Sequence, residues 1–140
     1  MAVTEERLKV RVGHEQTHYW DDMAAGAFVL QLFGDVGGAL NIRNDGSGGL
    51  LAGYDQVDLL YPVRSGDLIE VVARLEHVGN RSRKIAYEAY LHLSRFDDNG
   101  QPGRWREFDP PKLVARARGT AVIPRDQQLG GPLRVNGREE

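Results

Sequence analysis

Apolar residues crowd together between Asp22 and Arg43, whereas from Leu50 onward they alternate with polar ones. In the first stretch, "AAGAFVLQLFGDVGGAL", only Gln31 and Asp35 interrupt the apolar run, which predicts one helix of about five turns. Asp21 or Asp22 stands where an N-cap belongs, and Arg43 followed by "NDGSGG" suits a C-terminus. A helix apolar nearly all round is expected to be wrapped by other structure.

The alternating segments read as strands. "RLKVRV" precedes the helix; "LLAGYDQVDLL" follows it and leads into a turn at "YPVRSGD". Ile69, Val71, Ala73 and Leu75 share one face of the next segment, against Glu70, Arg74 and Glu76 on the other. After a hairpin signal at "GNRSR", Ile85, Tyr87, Ala89, Leu91 and Leu93 repeat the pattern. A polar loop, "DDNGQPGRWREFDPP", precedes a last strand with Leu113, Ala115, Ala117, Ala121 and Ile123 inward and Arg116, Arg118 and Thr120 outward. The order is strand, long helix, four strands: an α+β class with one five-stranded antiparallel sheet. Such a sheet has open edges, so edge-to-edge pairing of two subunits, a homodimer or an assembly of dimers, is expected. Residues 1–124 are expected to form one domain, and 125–140, with neither period nor apolar mass, an arm or a disordered tail.

Composition narrows the function classes. A chain of 140 residues is long enough to bury a core without staples, and a net charge of −2 gives no support for nucleic-acid or membrane-surface binding. The absence of cysteine excludes disulfides and thiolate chemistry. With no run long enough to span a membrane and no signal-peptide core in "MAVTEERLKV", the expected location is cytoplasmic.

The candidate chemistry lies on the helix. Gln31 and Asp35, four residues apart, share a face, and Gly34 and Gly38 flank the same stripe. Each interior glycine costs about 1 kcal/mol, so their grouping suggests that a backbone or a ligand approaches closely. A carboxylate buried there is either hydrogen-bonded structure or a general base. "HEQTH" (His14 to His18) matches the letters of a zinc-hydrolase motif, but it follows a strand and precedes an N-cap, so a loop is expected and no metal site. "NDGSGG" lacks the Lys-Ser/Thr of a phosphate loop. His77 and His92 fall within strands, and Trp20 and Trp105 in polar loops are pocket lids or interface anchors.

"GAFVLQLFGDVGGALNIR" together with "GYDQVDLLYPVRSGDLIEVVARLEHVGNRSRKIAYEAYL" resembles the hotdog family of acyl-CoA enzymes, from about His14 to Pro124. "LQLFGDV", "AGYDQV" and "VGNRSRK" are most similar to the branch of 3-aminobutyryl-CoA and β-alanyl-CoA ammonia-lyases; "VGGALNI" and the loop around Trp105 depart from it. The resemblance implies a central helix wrapped by the sheet and an ammonia-lyase acting on a short 3-aminoacyl-CoA. The alternatives are an acyl-CoA thioesterase and a non-catalytic acyl-CoA-binding protein. It implies Asp35 as the acid/base, Gly26 as the backbone donor to the thioester oxygen, and Gln31, Gly34 and Gly38 as pocket wall. His18, bordering the active site, and Tyr54, donating a hydrogen bond near the acyl group, are expected to join Asp35 as catalytic residues, and Arg81, Ser82, Arg83 and Lys84 to meet the CoA phosphates. CoA then enters as part of the substrate, with no further cofactor expected.

Overall fold

Five antiparallel strands lie against one helix in the computed structural model of this chain, which describes residues 2–95, 103–135 and 138–139. In chain order they are β1 (Glu5–Arg11), α1 (Gly26–Asp45), β2 (Leu50–Leu59), β3 (Leu68–Val78), β4 (Ser82–Ser94) and β5 (Arg106–Val122). Across the sheet the order is β1-β3-β4-β5-β2, so β1 and β2 are the edges. A short pair, β6 (Arg134–Val135) and β7 (Arg138–Glu139), stands apart from this sheet.

Period-2 alternation decides which strand face meets the helix. Ile69, Val71 and Ala73 of β3, Ile85, Tyr87, Ala89 and Leu91 of β4, and Ala115, Ala117 and Ala121 of β5 are buried. Opposite them stand Phe28, Val29, Leu32, Phe33, Val36 and Leu40 of α1, and the two sets form one core. Each large side chain buried in this way contributes about 1.5–3 kcal/mol. An irregularity between Leu75 and His77 shifts the register of β3 and turns Val78 inward.

The helix differs from its prediction in three ways. It begins at Gly26 with Ala25 as N-cap and no side-chain cap, because the two aspartates meant for that role are committed elsewhere. Arg64 holds Asp21 (Nη2–Oδ2 2.9 Å) and Arg95 holds Asp22 (Nη2–Oδ2 2.8 Å). Second, the helix runs on to Asp45, where Gly46 takes the left-handed conformation (φ 78°) that a chain reversal demands there. Third, the sheet wraps it on one face only: Ala27, Gln31, Asp35, Ile42 and Arg43 are exposed in the protomer.

Strand β5 starts at Arg106, so part of the predicted loop is strand; residues 97–102 of that loop lie outside the described residues. The region assigned to a tail begins with anchored chain. Gln128 is buried and donates through Nε2 to the carbonyls of Asn80 and Ile123, and the Leu129 amide bonds to Asp45. Among the described residues no helix is long and apolar enough to cross a membrane.

Candidate active site

The N-terminus of α1 is placed by its incoming loop. Tyr19 leads into a single 3-10 turn, Trp20–Asp22, in which Asp21 and Asp22 both adopt positive φ (58° and 56°). That costly backbone is held by the two arginine pairs and by hydrogen bonds from Ala24 to Val63 and from Ser65 to Asp22. Nearby, Asp67 accepts from the Arg64 amide at 2.9 Å, and burial pushes its carboxyl above the usual range. The result is a helix start at Gly26 whose first N–H groups have no intrahelical acceptor. A cavity of about 270 Å3 opens beside it, walled by Gly26, Val29, Leu59, Tyr61, Val63 and Val114 among others. Leu59 fills the space where a side chain on residue 26 would stand. Amide donors beside an apolar recess suit a thioester, whose developing oxyanion needs N–H groups and whose chain needs cover.

Gln31 and Asp35 lie on the exposed face of α1, with Gly34 and Gly38 flanking Asp35 and no atom of another element within 4 Å of where either glycine's Cβ would stand. The burial expected for Asp35 is therefore absent in the single protomer. The apolar run misled because the exposed face is built mostly of small residues, with Ile42 its one large exposed apolar side chain, while Phe28, Val29, Leu32, Phe33, Val36 and Leu40 sit on the other face. Gly37 alone of these glycines meets the sheet, at Tyr87.

Tyr54 of β2 is half-buried and donates to the Leu30 carbonyl at 3.4 Å, with burial raising its pKa. Its ring packs edge-on to Tyr87, which stacks on Phe33. His14 lies in one 3-10 turn, His14–Gln16, and His18 falls beyond it, so the two imidazoles do not share a helical face. His18 is exposed in the loop leading to α1.

The hairpin "GNRSRK" divides. Arg81 and Lys84 are exposed and form no ion pair among the described residues, and Ser82 is half-buried. Arg83 is 1 % exposed and cannot meet a phosphate: its guanidinium grips Asp45 at both oxygens (3.1 and 3.0 Å) and donates to the carbonyls of Gly79 and Ser82 (2.9 Å each). It shares the inward face of β4 with Ile85 and Tyr87, and a two-residue count carried back from Ile85 would have shown this. Asn41 and Tyr87, which border a second cavity against α1, were not singled out from the sequence. Their signal was an amide within the glycine-rich stripe and a tyrosine at an inward strand position.

The model of the thioesterase superfamily matches residues 22–91. The 3-aminobutyryl-CoA ammonia lyase of Acetoanaerobium sticklandii is 42% identical over 122 residues, covering 86% of this chain and 95% of that protein. This chain belongs to the thioesterase superfamily. Among solved structures, the β-alanyl-CoA:ammonia lyase of Clostridium propionicum superposes with a TM-score of 0.84 at 29% identity, over 91% of this chain and 90% of that one. A hexameric hotdog-fold thioesterase of Campylobacter jejuni matches at a TM-score of 0.68 and 22% identity, over 85% and 83% of the chains, and shares the fold. The strand–helix–four-strand order of this superfamily member is thus the hotdog fold expected from its sequence.

Proposed function

We propose that this protein is a CoA-thioester ammonia-lyase that reversibly removes ammonia from a short 3-aminoacyl-CoA, such as 3-aminobutyryl-CoA. The 42% identity with an ammonia lyase, over nearly all of that protein, carries the reading. In this reaction a base takes the proton from C2, the C3–N bond breaks with its electron pair going to nitrogen, and a C2–C3 double bond forms. Starting from the ammonium form of the substrate, the products are the enoyl thioester, neutral ammonia and a protonated base. Asp35 is the base in this reading. The Gly26 amide holds the enolate oxygen, the kind of electrostatic stabilisation that is usually the largest single contribution. Arg81 and Lys84, with Ser82 between them, are the donors offered to the CoA phosphates; Arg83 supports their hairpin from beneath. Tyr54 and His18 border the site from β2 and from the loop.

Gly26 and Asp35 cannot serve one thioester from a single helix. Nine residues part them, about 13 Å along the axis, while the thioester oxygen and C2 are a few ångströms apart. A second copy whose helix runs antiparallel brings one protomer's Asp35 to the other's Gly26. The surface such a copy would cover is present. Edge strand β2 exposes Leu50, Leu51, Val57 and Leu59, and Ile42 on α1 continues the patch. We therefore place the site between two protomers of a homodimer, where the exposed face of α1 becomes enclosed.

The test mixes purified protein with crotonyl-CoA and ammonium and follows enoyl absorbance and free thiol together. Ammonium-dependent loss of absorbance without thiol release is the expected result. Thiol release independent of ammonium would reassign the chemistry to hydrolysis, with Asp35 activating water. No change in either signal across a panel of short enoyl thioesters would leave acyl-CoA binding alone.

A further inference from the structure

A cavity of about 170 Å3 lies against the flank of α1, walled by Gly34, Gly37, Gly38 and Asn41 of the helix and by Gly49 and Tyr87 opposite. The two glycines nearest Asp35, Gly34 and Gly38, put bare backbone against open space. Asn41 is 2 % exposed; its Nδ2 donates to the Gly48 carbonyl at 3.4 Å, and its Oδ1 has no hydrogen-bond partner among the described residues. Tyr87, equally buried, reaches toward the helix until its hydroxyl lies 2.8 Å from where a Gly37 Cβ would stand. No residue lining the cavity carries a charge.

We propose that this cavity holds neutral ammonia after it leaves the substrate, and before it adds in the reverse direction, with Asn41 Oδ1 accepting from its N–H and the Tyr87 hydroxyl donating to its lone pair. The assignment deepens the lyase reading and rests on it. A buried acceptor without a partner calls for a donor, which a hydrocarbon acyl tail does not have. No charged residue lines the cavity, and once Asp35 carries the proton taken from C2 a cation here would lose its hydration with no counter-charge, so the cavity favours ammonia over ammonium. Neutral ammonia is also the species that the elimination releases and that adds to the enoyl thioester. The volume is sufficient, being that of about six waters at roughly 30 Å3 each. Placement fits as well: Gly38 follows Asp35 by one helical turn, about 5–6 Å between side-chain positions, so the cavity begins beside the carboxylate that handles the proton.

The experiment runs the addition direction, measuring initial loss of enoyl absorbance over a range of ammonium concentrations at fixed pH. Asn41→Leu removes the acceptor, and Tyr87→Phe removes the hydroxyl while keeping the ring stacked on Phe33. Either change is expected to raise the KM for ammonia about tenfold, the effect of one lost hydrogen bond, with the KM for the enoyl thioester within about twofold of wild type. Should Asn41→Leu fail to fold, Tyr87→Phe decides alone. Unchanged ammonia KM in a folded variant would overturn the ammonia site and leave the lyase reading standing, the cavity then holding water only. Wild-type protein that consumes no enoyl thioester with ammonium would overturn both.

Discussion

At the scale of single residues, exposure separates chemistry from folding. Asp35 has an open environment in the protomer, so Asp35→Asn is expected to change stability by no more than about 0.5 kcal/mol. As the proton-handling group its loss should lower turnover about 10²–10⁴-fold. Thermal unfolding and the two-signal assay on the same preparation check both halves; full turnover in a folded variant would remove Asp35 from the mechanism. Arg83 is the opposite case. Arg83→Met leaves Asp45 buried without its partner, which is expected to cost about 3–5 kcal/mol and to lower the urea midpoint accordingly. Both positions show what a sequence hides. Residue type announced two charged groups, yet whether each faced solvent depended on which helix face the large apolar residues claimed and on the inward register of β4.

The elements themselves were more legible than their ends. Alternation located the inward faces of β3, β4 and β5, because a half-buried strand must place every second side chain in the core. The start of α1 was misplaced by four residues because Asp21 and Asp22, good caps in isolation, bind Arg64 and Arg95, and these pairs exist only once the 61–67 turn and the end of β4 have folded beside them. The glycines of α1 look equivalent in sequence and are not. A Cβ on Gly37 would stand 2.8 Å from the Tyr87 hydroxyl, whereas one on Gly34 meets nothing. Gly37→Ala should therefore destabilise by about 1–3 kcal/mol through overpacking. Gly34→Ala should gain up to about 1 kcal/mol of helix propensity in the protomer while slowing turnover, since the new methyl enters the space beside Asp35. Denaturant midpoints paired with rates would show the two signatures; equal stability losses would contradict the difference in packing.

For the whole molecule, the decisive expectation is that no protomer works alone. Gly26→Pro removes the amide donor at a position where proline fits the helix start, and Leu59 must turn aside to admit it. Asp35→Asn removes the base from the other half of each site. Either variant alone should be nearly inactive. Mixing and re-annealing the two should restore about a quarter of wild-type activity, because half of the dimers are then mixed and each of these carries one intact site. Activity that stays at the level of the single variants, with mixed dimers shown to form, would put Gly26 and Asp35 on the same protomer's site. Nothing in the sequence marks this division directly; it follows from helix rise and from the length of a thioester.

The open edge of β2 also governs how the chain survives synthesis. A strand that displays unpaired amides and a row of leucines will pair with whatever extended chain it meets first, and a freshly made protomer meets its own kind only as fast as its numbers allow. If the site is shared between two protomers as proposed, scarcity then has two costs at once, since an unmated chain would be both idle and adhesive. Variants that weaken the seam, such as Val57→Asp, should therefore be found first among insoluble material rather than as slow enzymes, while a lysine placed at the same edge would keep the lone chain in solution.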